Sequence, residues 1–227
     1  MSNSLNAIIS EIEYPESDGL PMAESDIARE YLIYGIEALR IYFQNCPDVY
    51  VSGNLFIYYE QGNPKAVIAP DVFVVLGVEN KQRICYKTWE ENNKVPDFIL
   101  EITSRSTVSQ DQGIKKGLYA YLGVKEYFQY DPTSDYLNPS LQGLRLVEGN
   151  YFPISSQTRE NGLAISSEVL GLELQLDSDG KMRFFDPTTQ EKLRTPQETE
   201  EARIAEQNKA RQMAERLREL GVDPDQL

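Results

Sequence analysis

The stretch at residues 96–104 (PDFILEITS) constrains the fold more than any other part of the chain, because it places acidic residues inside an apolar run. Side chains of a β-strand alternate between its two faces, and here both faces carry apolar residues. This pattern predicts an interior strand that is covered on two sides. Glu101 lies within the run, and an ionised carboxylate there is unfavourable unless a positive charge meets it. Asp97, beside Pro96, is interpreted as a residue at the strand boundary.

The chain contains no histidine, which removes the imidazole from every catalytic scheme. A Ser-His-Asp triad, a Cys-His pair and a His-ligated metal are therefore excluded. The two cysteines, Cys46 and Cys85, lack metal-ligand spacing and are expected to be reduced thiols. Catalysis by such a chain depends on carboxylates, Lys, Tyr, Ser or a metal held by oxygen.

The formal net charge of −14 argues against indiscriminate binding of a polyanion, since affinity for phosphates comes from Lys and Arg. Residues 76–125 are the exception, with eight basic and six acidic residues. No signal peptide is recognisable, and no apolar run is long enough to span a bilayer. We therefore expect a cytoplasmic protein without a membrane partner.

Between residues 25 and 132 the apolar spacing alternates between helical and strand patterns. It predicts a helix from Ser25 to about Phe43, strands at 48–59, 66–77 and 96–104, a helix at 109–122 and a strand at 125–131. The second helix is expected to bury a stripe formed by Ile114, Leu118 and Leu122. Because a strand, helix, strand crossover produces parallel neighbours, this order predicts a mixed sheet with helices packed on it.

Turn residues predict two hairpins after this core, at 144–154 and 170–185. A capping box at residues 195–198 then begins a charged helix or short coiled coil. We predict an α/β protein of the α+β type with a mixed sheet. One domain spans 1–194, with its core at about 25–132 and a β-hairpin elaboration at about 141–190, and a charged helical tail spans 195–227. An irregular lead-in is expected before residue 25.

Asp71 and Glu101 interrupt two neighbouring apolar strand runs, and their side chains can converge on one sheet surface. Two converging carboxylates repel each other and need a cation. Mg²⁺ accepts one or two carboxylates and leaves positions for water and a phosphate oxygen. Lys115, on the helix that follows the Glu101 strand, is the candidate for orienting or deprotonating an attacking water.

Simpler interpretations exist for each of these residues. Asp111, Lys115 and Tyr119 lie at i, i+4 and i+8, and an Asp–Lys pair on a solvated face stabilises a helix by only about 0.3–0.5 kcal/mol. We favour that interpretation for Asp111 on spacing alone. Asp71 could equally face solvent, and Glu101 could form a buried ion pair with Lys116 or Arg105.

The chain also resembles the Uma-type putative restriction endonuclease family, which belongs to the PD-(D/E)XK nuclease superfamily. The resemblance is carried by PDV at 70–72, PDFILEITSRST at 96–107, GVKEYFQYDP at 123–132, and by Asp111, Lys115 and Tyr119. It runs from about residue 15 to 132 and, more weakly, to about 187. It implies a restriction-endonuclease-like core with flanking helices, in which Asp71 and Glu101 are the metal-binding catalytic acids and Lys115 the catalytic lysine.

Two departures from a plain (D/E)XK motif accompany this resemblance. Thr103 occupies the position where that motif has its lysine, so the lysine must come from the helix at Lys115. Relatives often have a histidine near the position of Ala28. Thr103, Asp111 and Tyr119 are expected to support the site.

The resemblance implies an endonuclease that uses Mg²⁺, with Mn²⁺ as an alternative, to hydrolyse phosphodiester bonds of nucleic acid, most simply DNA. Because duplex cutting usually requires two active sites, a homodimer is expected. Two other hypotheses stay open. One is a nuclease-fold protein that no longer cleaves and serves as a binding or assembly module, and the other is a metal-dependent hydrolase of a small phosphorylated substrate.

Overall fold

The computed structural model describes residues 12–15, 25–159 and 162–219. Its three α-helices are Asp26–Tyr42 (α1), Lys116–Leu122 (α2) and Pro196–Glu219 (α3). A short 3₁₀ helix spans Thr88–Glu91, and a π-helix, Gln110–Lys115, runs directly into α2. None of the helices in these ranges is long and apolar enough to cross a membrane. Apart from residues 12–15, the predicted lead-in lies outside the described residues.

Fourteen strands are present in the described part of the chain. They are Val49–Ser52 (β1), Ile57–Tyr58 (β2), Val67–Ile68 (β3), Val72–Leu76 (β4), Tyr86–Lys87 (β5), Phe98–Ile102 (β6), Glu126–Tyr130 (β7), Leu141–Val147 (β8), Asn150–Pro153 (β9), Ser156–Arg159 (β10), Gly162–Ser167 (β11), Leu172–Asp177 (β12), Met182–Asp186 (β13) and Glu191–Lys192 (β14).

These strands form three sheets. The six-stranded sheet has the order β1-β4-β6-β7-β8-β9, and only its β6–β7 pair is parallel. β10 to β14 form a five-stranded antiparallel sheet in chain order, and β3-β2-β5 form a small third sheet. The predicted mixed α/β architecture is therefore confirmed, with the interior strand β6 at residues 98–102 and its parallel neighbour supplied by the helical crossover.

The six-stranded sheet is covered on both faces, as the apolar pattern of β6 predicts. Phe98 and Leu100 point to a core shared with α1 and the five-stranded sheet. Ile99 points to the opposite core, where Tyr119 of α2 and Tyr86 of the small sheet pack. Glu101 shares the Ile99 face and is fully buried, so an ionisable group lies under α2.

Three local predictions need correction. The run at residues 66–77 is not one strand, because Pro70 separates β3 from β4 and the two strands join different sheets. Asp71 consequently precedes β4 instead of lying in its middle. The run at residues 48–59 is likewise divided, near Gly53 and Asn54, into β1 and β2.

The helical segment after β6 presents a different face from the one predicted. Ile114 is 76% exposed, whereas Asp111 and Tyr119 are fully buried. The predicted stripe is therefore wrong for Ile114, whereas Leu122 does pack against the core that contains Tyr119. The sheet beneath carries Glu101, and the polar side of the helix turns inward because it can compensate that charge.

The C-terminal helix α3 begins as its capping box predicts. The Thr195 hydroxyl accepts from the Glu198 backbone N–H at 3.1 Å, and the Glu198 carboxylate accepts from the Thr195 N–H at 2.8 Å. Arg183 of β13 also contacts Glu198, at 2.6 Å, so the first turn is tied to the five-stranded sheet. No residue in the described part of α3 is buried.

Candidate active site

Asp71 is positioned by the interruption that Pro70 introduces between β3 and β4. Its carboxylate Oδ2 accepts a hydrogen bond from the backbone N–H of Ile102 at 2.7 Å. Its own backbone N–H points at Glu101 Oε2, 3.4 Å away. The start of β4 and the end of β6 are thereby joined by hydrogen bonds that involve both acids.

Gly53 allows the close approach that this arrangement requires. A Cβ atom at position 53 would overlap the backbone carbonyl of Asp71. The adjacent Asn54 N–H donates to the Pro70 carbonyl at 2.9 Å, which holds the two segments together. The sequence pattern did not identify Gly53 as a residue that positions Asp71.

Glu101 is held at both of its carboxylate oxygens by side chains of the helical segment. Lys115 Nζ donates to Oε2 at 2.9 Å, and the Tyr119 hydroxyl donates to Oε1 at 2.5 Å. The Lys115 side chain is only 14% exposed. The basic partner of Glu101 is thus Lys115, and the alternatives Lys116 and Arg105 are not its partners.

Asp111 lies on the other side of the same ammonium group. Its Oδ1 is 3.1 Å from Lys115 Nζ, and the Asp111 side chain is 1% exposed. The interpretation of this pair as one on a solvated face is therefore wrong. The Tyr127 hydroxyl donates to the Asp111 backbone carbonyl at 2.9 Å and fixes the π-helix over β7. π-Helical turns are frequent at functional sites, where they re-aim side chains.

Burial and charge act together on the acid pair. Burial and the neighbouring Glu101 charge raise the pKa of Asp71 well above its ordinary value, against the opposing effect of Lys115. Burial also raises the pKa of Glu101, with Lys115 opposing and Asp111 reinforcing the shift. For Lys115, burial favours the neutral amine, but Glu101, Asp111 and Asp71 outweigh it and raise its pKa. The lysine is therefore an ammonium ion amid three carboxyl groups.

Several polar atoms around this centre lack partners within the described chain. The Thr103 hydroxyl, the Gln129 amide nitrogen and the Asp111 carboxylate oxygens are buried without a hydrogen bond, although Lys115 is paired with Asp111. Gln129 of β7 is the register partner of Glu101. Sequence reasoning missed Gln129, whose signal was a polar residue within the apolar run at 125–131. Such atoms are the ones that ordered water or a bound ion satisfies.

The donor set of this centre matches a hard cation that uses few protein ligands. Among the described residues no group of three or more His, Cys, Asp or Glu side chains is arranged to hold a metal. Asp71 and Glu101 offer two adjacent carboxylates. Mg²⁺ commonly binds through one or two carboxylates and completes its shell with water and phosphate oxygens. The residues present therefore fit Mg²⁺ better than a cation that needs an all-protein cage.

A cleft of about 610 Å³ gives access to Asp71 from solvent. It lies between the start of α1 and the turn that follows β6. Ala28 and Leu32 of α1 line one side, and Arg105 lines the other. Ala28 thus faces the same cleft as Asp71.

Asp71 and Glu101 thus lie beside the ends of neighbouring strands of a mixed sheet, and Lys115 is turned inward onto Glu101. The chain belongs to the Uma2 family, described as putative restriction endonucleases, whose model matches residues 23–177. The predicted resemblance to this family is confirmed, and membership supports a nuclease that acts on nucleic acid.

Comparison with solved structures finds a putative nuclease from Anabaena variabilis. The two chains are 11% identical, and the match covers 66% of this chain and 76% of that chain with a TM-score of 0.45. No match is found among curated proteins.

Proposed function

We propose that this protein is a Mg²⁺-dependent endonuclease that hydrolyses phosphodiester bonds in DNA, with Mn²⁺ as an alternative metal. The observation that supports it best is the inward-facing Lys115, whose ammonium group contacts Glu101 at 2.9 Å while Glu101 adjoins Asp71. A lysine used only for solubility would extend into water. Here the chain buries it against two acids, which is an arrangement that perturbs ionisation and typically marks function.

Asp71 and Glu101 would hold the metal through their carboxylates, with Ile102 N–H fixing the orientation of Asp71. The bound cation would neutralise charge that develops on the scissile phosphate and lower the pKa of a coordinated water. Tyr119 orients Glu101 by donating to Oε1, which leaves Oε2 directed towards Asp71 and Lys115. The low exposure of these groups excludes bulk water and strengthens each electrostatic contact.

Lys115 supplies a fixed positive charge beside the acids. In the role proposed for it, the ammonium group orients the attacking water and stabilises negative charge on the phosphate oxygens. Asp111 positions the ammonium group from the side opposite Glu101. Thr103 and Gln129 add a hydroxyl and an amide that can hydrogen-bond water in the same buried region.

A homodimer is part of this proposal, because cleavage of both strands of a duplex needs two such sites. The long exposed helix α3 is the candidate element for association through a coiled coil. Size-exclusion chromatography with light scattering, on the full chain and on a chain ending at residue 194, tests this part separately from catalysis.

The decisive experiment is cleavage of plasmid and oligonucleotide substrates in Mg²⁺ or Mn²⁺ by the wild type and by Asp71→Ala, Glu101→Ala and Lys115→Ala. We expect loss of at least about 100-fold in rate for each variant. Lys116→Ala is the matched control, because it removes a neighbouring charge that does not contact Glu101, and it should retain activity. Circular dichroism of each variant separates unfolding from loss of chemistry. Activity that survives all three substitutions would refute the assignment.

A further inference from the structure

The cleft in front of Asp71 is the entry to the proposed centre and has its own chemistry. Of the described residues that line it, only Asp71 and Arg105 carry a charge. Glu101 is fully buried behind it. Among these residues, Arg105 is therefore the positive charge available to a substrate that reaches Asp71.

Arg105 is held at the tip of a tight, internally bonded turn. The Ser104 carbonyl accepts from the Val108 N–H at 2.9 Å, and the Ser104 N–H donates to the Thr107 hydroxyl at 3.0 Å. The Ser104 and Ser106 hydroxyls are 3.0 Å apart. The guanidinium group itself has no ion pair or hydrogen bond within the described residues. A fixed backbone that carries an uncommitted guanidinium is suited to binding a phosphate.

The remaining wall of the cleft is apolar and aromatic. Ala28 and Leu32 of α1 and Ile102 at the end of β6 contribute aliphatic surface, and Tyr136 contributes a partly exposed ring. Such a surface suits the face of a nucleobase, which stacks on aromatic side chains without regard to sequence. In an intact duplex the base faces are covered by their neighbours, so only an unpaired base can use this wall.

The charge of the chain and of the cleft also favours an unpaired nucleotide over duplex DNA. Proteins that bind duplex DNA tightly neutralise several phosphates, through roughly 6–10 phosphate contacts. This chain has a net charge of −14, and among its described residues a single cation, Arg105, lines the cleft. One arginine neutralises about one phosphate. The volume of about 610 Å³ is also that of a pocket for a small ligand, within the usual range of roughly 300–1,000 Å³.

We propose that the cleft binds an unpaired nucleotide, with its phosphate on Arg105 and its base against Tyr136 and Leu32, so that the substrate is single-stranded or locally unpaired nucleic acid. This inference rests on the phosphodiester hydrolysis in the proposed function and specifies the substrate class; it does not require the duplex cleavage from which the homodimer was argued. It makes Arg105 and Tyr136 substrate-binding residues, which sequence reasoning did not identify.

Binding can be measured without cleavage. Fluorescence anisotropy of a 5′-fluorescein dT oligonucleotide of about thirty residues, and of the same oligonucleotide in a duplex with dA, is recorded with the full chain in Ca²⁺. A gel at the end of each titration verifies that the probe is intact. The variants are Arg105→Ala, Arg105→Lys and Tyr136→Ala. The controls are Arg211→Ala, which removes the same charge from exposed α3, and Tyr136→Phe, which keeps the ring.

We expect the single strand to bind at least about tenfold more tightly than the duplex, since only its bases can reach the wall. Arg105→Ala should weaken single-strand binding about tenfold and reduce the slope of log affinity against log salt by about 0.7, the value for one phosphate on a single strand. Arg105→Lys should keep the slope. Tyr136→Ala should weaken binding about tenfold, whereas Tyr136→Phe should not.

Equal or tighter binding of the duplex overturns the inference, and so does an Arg105→Ala variant that behaves like Arg211→Ala. Its failure is distinguishable from failure of the proposed function. Binding of single strands that depends on Arg105, without cleavage of any substrate, would support the inference and refute the nuclease proposal. Cleavage restricted to perfect duplex would support the nuclease proposal and refute the inference of an unpaired substrate.

Discussion

Replacing Lys115 by methionine removes the ammonium group that lies between the buried carboxylates of Glu101 and Asp111. The side chain is 14% exposed, and its Nζ lies 2.9 Å from Glu101 and 3.1 Å from Asp111, whose side chains are 0% and 1% exposed. Removing one partner of a buried ion pair typically costs about 3–5 kcal/mol, because the remaining charge stays desolvated. Glu101 keeps the hydrogen bond from Tyr119, so we expect the lower end, about 3 kcal/mol.

Urea unfolding of the metal-free protein, followed by circular dichroism in EDTA at neutral pH, measures this loss as a lower midpoint with an unchanged m-value. Lys116→Met is the matched control and should change the free energy of unfolding by less than about 0.5 kcal/mol. Adding Asp111→Asn to Lys115→Met removes one stranded carboxylate and should recover roughly 1–2 kcal/mol. Mg²⁺ should stabilise Lys115→Met more than it stabilises the wild type, because it replaces the missing positive charge.

A loss below about 1 kcal/mol, the range of a solvent-exposed ion pair, would refute the reasoning. It would mean that, in solution, the Lys115 side chain separates from Glu101 and extends into water. Absence of any recovery in the double variant would refute the narrower claim that Asp111 and Glu101 share the same ammonium group.

Three further perturbations test the same centre. Asp71→Asn should stabilise the metal-free protein, because burial and Glu101 raise the folded-state pKa of Asp71 and folding therefore disfavours its ionised form. The gain is full above the folded-state pKa, shrinks as pH falls below it, and is lost below the pKa of the unfolded chain. Unfolding at several pH values checks this, and a gain that grows in acid contradicts it. Tyr119→Phe should lower stability by about 1–3 kcal/mol, since buried Glu101 loses a donor; an unchanged urea midpoint would argue against that contact. Gly53→Ala should lower stability by about 1–3 kcal/mol and weaken Mg²⁺ binding in calorimetry, because its Cβ displaces the Asp71 backbone. Gly117→Ala, the control with open space around it, should stabilise α2 by up to about 1 kcal/mol. Equal behaviour of the two variants would count against the close approach of Gly53 to Asp71.

The hidden face of the helical segment shows why part of the site could not be predicted from local pattern. Ile114, Leu118 and Leu122 are the larger apolar residues there, and periodicity alone selects them as the buried stripe. The sheet beneath the helix presents Glu101, so burying the polar face pairs charges that would otherwise be desolvated alone. Which charge lies beneath a helix is a property of strand register, and helical periodicity carries no information about it.

The amino-acid sequence alone predicted the interior strand at residues 98–102, because a strand with apolar side chains on both faces must be covered on both faces. It also determined that Glu101 needs a positive partner, since a desolvated carboxylate cannot remain alone. Only the tertiary structure decided that this partner is Lys115 and that Asp71 precedes its strand. Folding also places Gly53 and Gln129 at the centre and Arg105 in the cleft that leads to it. Contacts between segments distant in the chain depend on register, strand interruptions and close backbone approach, none of which leaves a local pattern.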